Sequence, residues 1–162
     1  MSLGLRPGGT GDLAAVVAVF LACWRISYRG LLPDATVDAM SDDDATGLWR
    51  AALADPAGRI LVADAGGVVV GVTRWTPADA TVQSLYVHPD SRGLGAGGAL
   101  LDAATDDLRA GGATLAHLWV FEANAPSRAF YARRGWRPDG TTRTQSQFGV
   151  PELRLVLPWG AV

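Results

Sequence analysis

The stretch HPDSRGLGAGGALLDAATDDL, from His88 to Leu108, carries four glycines within the six residues Gly93–Gly98 and passes at once into a helical pattern. No other feature limits the fold so tightly. The first amides of a helix have no partner inside it, the helix dipole makes that end partly positive, and glycines clear side chains from the approach. The segment therefore predicts a strand, an anion-binding turn and a helix in succession, with Arg92 as a fixed cation at the lip. Two familiar phosphate loops fit less well. The P-loop ends in Gly-Lys-Ser/Thr, and all 14 basic residues of this chain are arginine. The same absence excludes a Schiff-base or catalytic lysine. The dinucleotide pattern G-x-G-x-x-G does match Gly93, Gly95 and Gly98, with Glu122 near the end of the next strand, where an acid would hold a ribose. Its context is wrong, because HPDSR separates Val87 from Gly93 and no further strand–helix alternation follows to build a doubly wound sheet.

The surrounding chain reads as one domain, residues 1–162, whose 49% hydrophobic and 19% charged residues suit a globular core. LGLRPG (Leu3–Gly8) predicts an opening strand, and Thr10 or Asp12 can cap the next helix. Residues 13–28 are apolar nearly all round, which predicts a mostly buried helix. A Pro-Asp helix start lies in LLPDATVDAM, and Ser41 or Asp42 caps a helix in SDDDATGLWRAALAD. Two β-branched runs, Ile60–Ala63 and Val68–Trp75, flank Gly66-Gly67 as a hairpin, and Thr81–Val87 is a third strand. The helix after the glycines, about Gly95 to Ala110, turns Leu100, Leu101, Ala104 and Leu108 to one side and ends at Gly111-Gly112. TLAHLWVF gives a strand, NAPSRAFYARRGW a helix stopped by Gly135, and PELRLVLPW a closing strand. The order β-α-α-α-β-β-β-α-β-α-β is that of an α+β layer fold.

A net charge of −2 supplies no general attraction to nucleic acid or to an anionic membrane. Cys23 is the single cysteine, so neither an internal disulfide nor a cysteine metal cluster is expected, and its apolar helix makes it buried and inert. The longest apolar run, Leu13–Trp24, is shorter than the roughly 20 residues of a membrane span. A cytoplasmic protein is the expectation.

LYVHPDSRGLGAGGALL resembles the acetyl-CoA-binding segment of the GCN5-related N-acetyltransferase (GNAT) family, and VFEANAPSRAFYARRGW resembles that family's next motif, in the same order. The resemblance implies a mixed, mostly antiparallel sheet flanked by helices on both faces, with a splayed parallel strand pair. It implies that Thr81–Val87 and Thr114–Phe121 diverge to admit the pantetheine arm. Leu85, Tyr86 and Val87 would run beside that arm, with the Val87 N–H at the thioester carbonyl. Arg92, Gly93, Leu94, Gly95, Ala96, Gly97 and Gly98 would cradle the pyrophosphate. Asn124 and Ser127 would contact the pantetheine, and Tyr131 would place its hydroxyl near the sulfur. The activity implied is acetyl transfer from acetyl-CoA to a primary amine by direct attack in a ternary complex, an acyltransferase reaction that needs no metal.

That chemistry gives each part a task. A pre-placed N–H stabilises the oxyanion formed on attack. A tyrosine, protonated at neutral pH, can donate to the departing thiolate. The attacking amine must lose its proton, yet Thr81 stands where relatives often carry a glutamate base; Glu122 and His117 are the alternatives. CWRISYRGLLPD (Cys23–Asp34) offers Trp24, Tyr28 and Arg29 as acceptor-site residues, while Trp24 and Tyr28, four apart, equally fit a core-facing ridge. Trp49, Trp75, Trp119 and Trp136 read as core or strand-face residues. A small-molecule or peptide amine is the expected acceptor and a homodimer is an open possibility. Two other functions remain: a degenerate acyl-CoA-binding sensor, which the Thr81 substitution would permit, and a dinucleotide-dependent oxidoreductase.

Overall fold

In the computed structural model, which describes residues 2–159, seven strands form one sheet in the order β1-β2-β3-β4-β5-β7-β6. They are β1 (Leu3–Pro7), β2 (Arg59–Ala65), β3 (Val68–Thr76), β4 (Thr81–Val87), β5 (Leu115–Phe121), β6 (Arg137–Thr144) and β7 (Pro151–Pro158). The helices are α1 (Leu13–Ala22), α2 (Asp34–Asp38), α3 (Asp42–Ala54), α4 (Ala96–Ala110) and α5 (Ala125–Arg133). Adjacent strands pair antiparallel except β4 and β5, whose parallel contact is confined to Thr81 and His117. Beyond that point the two strands separate. Helices cover both faces, and the core divides accordingly. Val16, Phe20, Trp24, Val37 and Trp49 pack with Val62, Val72 and Phe121 on one side. Leu101, Ala104 and Leu108 of α4 pack with Trp75, Val82, Leu118 and Trp136 on the other.

Most elements form for the local reasons read from the sequence. The Ser41 hydroxyl accepts the Asp44 N–H (3.0 Å) while the Asp44 carboxylate takes the Ser41 N–H, a reciprocal cap for α3. Gly66 and Gly67 both have positive φ in the β2–β3 turn. Leu100, Leu101, Ala104 and Leu108 are all buried, as their helical spacing requires; truncating one such leucine to alanine costs about 2–5 kcal/mol. Trp49, Trp75 and Trp136 are buried core residues, whereas Trp119 is only half-buried.

Two features depart from the sequence reading. The buried N-terminal helix is not uniform: α1 gives way to a π-helical turn over Cys23–Ser27. The continuous helical stretch Thr10–Ser27 is 18 residues long with a mean hydropathy of 1.5, long and apolar enough to cross a membrane by composition. Here it packs against α3 and the sheet. The second departure is β6, an edge strand absent from the expected order. Its eight residues are all exposed, so no apolar alternation marks it, and its Pro-Asp-Gly reads as a turn. The sheet tolerates Pro138 because an edge strand has one unpaired side. Pairing shifts between Pro138 and Thr142, leaving Asp139, Gly140 and Thr141 as a bulge opposite Arg154.

Candidate active site

The splay between β4 and β5 opens a cavity of about 400 Å³. Thr81 to Tyr86 of β4 and Leu118 to Phe121 of β5 form its floor, with Asn124, Ser127 and Tyr131 along one wall and Trp24 and Tyr28 along another. The backbone direction of β4 explains why this gap is sticky. The His88 N–H donates to Val70 C=O (2.8 Å), so His88 and Val70 form a hydrogen-bonded pair. Such pairs alternate along an antiparallel ladder. Val87 opposite Gly71 and Leu85 opposite Thr73 are therefore the non-bonded pairs, and their N–H and C=O groups face the gap. One is already occupied: the Cys23 thiol donates to Val87 C=O at 3.1 Å. Leu85 and Tyr86 reach the cavity wall; Val87 does not.

At the C-terminal end of β4 the chain turns through Pro89–Ser91 into the glycine loop. Gly93 and Gly95 have φ of 89° and 81°, a left-handed conformation that side chains resist. Gly95 is the N-cap of α4 and has no side chain to cap it, so the first amides of the helix, from Ala96, Gly97 and Gly98, are left for a ligand. This is a fit for a pyrophosphate. Leu94 projects outward and Ala96 is buried. Arg92 sits at the lip with Nη2 donating to the Ser27 hydroxyl (2.6 Å). Gly98 serves a different purpose from Gly93 and Gly95: a Cβ there would collide with the Arg134 guanidinium. Arg134, which lies over the Phe130 ring at 4.8 Å, is thus a second cation beside the start of α4. Sequence reasoning missed it, since its contact with Gly98 is non-local.

Asn124 caps α5 by accepting the Ser127 N–H (3.3 Å), and both residues also line the cavity. All three tyrosines of the chain, Tyr28, Tyr86 and Tyr131, border this one space. Burial pushes Tyr131 well above its ordinary value of 10.0, and the neighbouring Tyr86 adds to it. Burial likewise raises Tyr86 to about 12, although its hydrogen bond with Tyr28 acts the other way. Tyr28 is raised too, by burial first and then by Tyr86 and Tyr131. Each hydroxyl therefore stays protonated through neutral pH and can donate. Burial also raises the Cys23 thiol to about 11, with Arg92 opposing, so it is no nucleophile.

The expected acceptor residues separate in the structure. Trp24 is both ridge and wall: its indole N–H donates to Val37 C=O (3.1 Å), its ring lies 5.4 Å from that of Tyr28, and both line the cavity. Arg29 is not in that lining. It pairs with Asp34 (3.3 Å) and Asp38 (2.8 Å), pinning the loop to α2. Neither Glu122 nor His117 borders the cavity. The carboxylates that do are Asp79, in the turn before β4, and Glu152, at the start of β7. Thr76 donates its hydroxyl to Asp79 and accepts from the Gln83 amide (3.1 Å). Asp79 is otherwise exposed to the cavity mouth. Phe148, from the β6–β7 loop, packs on Trp24 (5.9 Å) and Phe121 (5.5 Å) and closes the far wall. Among the described residues no group of His, Cys, Asp and Glu side chains is placed to hold a metal.

Known proteins resemble this chain in sequence and in fold. The family model for acetyltransferases of the GNAT family matches residues 19–136. A probable N-acetyltransferase of Mycobacterium tuberculosis is 29% identical over 153 residues, 88% of this chain and 84% of that protein. The mycothiol acetyltransferase of Beutenbergia cavernae is 36% identical over 101 residues, which span 60% of this chain but only 33% of that longer protein. Among solved structures, the PaiA N-acetyltransferase of Thermoplasma acidophilum, crystallised with coenzyme A, superposes with a TM-score of 0.79 at 18% identity over 98% of this chain and all of its own. YncA of Salmonella typhimurium, solved with acetyl-CoA, gives 0.73 at 20% identity, covering 100% of this chain and 96% of that one. With the family model spanning both the glycine loop and the Tyr131 helix, the chain belongs to the GNAT acetyltransferase family.

Proposed function

We propose that this protein transfers the acetyl group of acetyl-CoA directly to an amine held in the β4–β5 cavity. One observation carries the reading: β4 and β5 part around a cavity whose wall holds a protonated tyrosine, and β4 leads at its C-terminal end into an uncapped, glycine-lined helix start. The residues have distinct tasks. The amides of Gly93–Gly98, with Arg92 and Arg134, hold the pyrophosphate. Val87 and Asn124 bond the pantetheine. The Leu85 N–H, which faces the gap and reaches the cavity, receives the developing oxyanion; the sequence resemblance put this role at Val87. Tyr131 gives its proton to the thiolate as the C–S bond breaks and the new C–N bond forms. The amine's proton leaves through water to Asp79, which occupies the region where the Thr81 position lacks a carboxylate. Trp24, Tyr28 and Phe148 enclose the acceptor.

The test has two parts. Calorimetry with acetyl-CoA, CoA and NAD separates an acyl-CoA enzyme from a dinucleotide enzyme, and sub-millimolar binding of the CoA species alone is expected. Release of free thiol from acetyl-CoA across an amine panel then separates an enzyme from a sensor. Binding without thiol release for any amine would refute catalysis.

A further inference from the structure

The wall contributed by β6 and β7 contains a charged group that the transfer step does not use. Arg143 and Glu152 are cross-strand partners. Glu152 is only 5% exposed, yet it borders the cavity. Its two oxygens accept from Arg143 Nε (3.2 Å), Arg143 Nη2 (3.2 Å) and Gln145 Nε2 (2.7 Å). With three donors on it, this carboxylate is poorly placed to hold a substrate ammonium. Its geometry suits another role. It grips the Nε–Nη2 edge of the guanidinium and fixes the rotation of that plane. The Trp119 ring, 4.1 Å beneath Cζ, fixes the plane's tilt. Arg143 keeps 40% of its side chain exposed on the cavity lining, and among the described residues its Nη1 has no hydrogen-bond partner. A guanidinium immobilised along one edge, with the other left open, suits recognition of a second planar anion.

We infer that Arg143 binds a carboxylate carried by the acceptor itself, so that the substrate class is amino acids and not plain amines, with Glu152 as the positioning residue. This deepens the proposed acetyl transfer and rests on it. The remaining acceptor wall is aromatic: Trp24, Tyr28, Phe121 and Phe148 lie in edge and tilted contacts of 5.4–5.9 Å. It suits an apolar side chain on that amino acid.

The experiment compares L-phenylalanine and L-leucine with their decarboxylated counterparts, phenethylamine and 3-methylbutylamine. Binding to the CoA-loaded protein is measured by calorimetry, and turnover by thiol release with acetyl-CoA. The wild type is expected to bind each amino acid about 10- to 100-fold more tightly than its amine, the scale of one or two charge-assisted hydrogen bonds. Arg143→Gln erases that preference while CoA affinity is unchanged, and Arg143→Lys, which keeps the charge but not the fork, restores only part of it. Because Arg143→Gln leaves Glu152 buried without its cation, the double variant Arg143→Gln/Glu152→Gln provides a charge-balanced control that must behave the same way. Equal binding of amino acid and amine, no binding of either, or a preference that survives in both variants overturns the inference. Turnover is read separately. Amino-acid binding without thiol release upholds the carboxylate site and refutes acetyl transfer; acetylation of plain amines without the preference does the reverse.

Discussion

Because the three tyrosines all border the cavity, alkali becomes a direct probe of it. Each is raised above its unfolded value, so the folded protein holds these protons more tightly than the unfolded chain does. The difference stabilises the fold fully below pH 10 and is lost as the pH climbs through the folded values. For Tyr86 the window runs from 10.0 to about 12, and for Cys23 from 9.0 to about 11. Two pKa units correspond to about 3 kcal/mol per group. Tyr28 and Tyr131 add in the same direction. Set against a typical stability of roughly 5–15 kcal/mol, these losses are large enough to unfold the protein between pH 10 and 12. Tyrosinate absorbance at 295 nm reports on these three residues alone, since the chain has no other tyrosine. Followed together with far-UV circular dichroism, it should stay flat past pH 10 and then rise in one steep step that coincides with loss of the CD signal. A smooth three-tyrosine titration centred at pH 10 with intact CD would refute the burial argument, and with it the claim that Tyr131 stays protonated because of its surroundings.

Three substitutions test the proposed machinery. Tyr131→Phe keeps the ring and removes the hydroxyl; acetyl-CoA affinity should hold within a few-fold in calorimetry while kcat falls by roughly 10²–10³, and a collapse of affinity instead would make Tyr131 a packing residue. Gly95→Asp places a charged side chain at a position with φ of 81° beside the free amides of α4; CoA binding should be lost in a protein whose CD spectrum is native, and retained affinity would sink the cradle. Asp79→Asn should lower kcat/KM for the acceptor by about 10²-fold or more at neutral pH, with CoA affinity unaltered; full activity would send the amine's proton elsewhere.

The parts of the candidate site that were legible in the sequence are those built from contiguous residues. The glycine loop, the Asn124 cap and the Tyr131 helix each carry their signal within one turn or one strand end, and local geometry made them readable. Arg143, Glu152 and Gln145 escaped because β7 inserts between β5 and β6, bringing to the cavity a strand pair remote from both motifs. The first of these strands is exposed on every residue and interrupted by Pro138 and Gly140, so it offers no period to detect. Asp79 was hidden by rank: it stands two residues before the strand position where a carboxylate was sought, in a turn whose path depends on the left-handed Ala80. Arg29 was singled out for its neighbourhood with Trp24 and Tyr28, but the chain turns after Tyr28 and delivers it to Asp34 and Asp38.

The π-helical turn of Cys23–Ser27 is a matter of phase. An α-helix advances about 100° per residue, and a wider turn accommodates extra chain without unwinding what precedes it. From this turn Cys23 reaches Val87, Trp24 reaches Val37 and Ser27 reaches Arg92. Deleting a single residue here would restore a regular helix and draw the side chains of the turn itself off the partners they now reach. The aromatic cavity wall and the arginine at the lip of the glycine loop would lose their supports together. A change of length in this segment is therefore all-or-none in its effect, whereas changes of side chain can be absorbed one contact at a time.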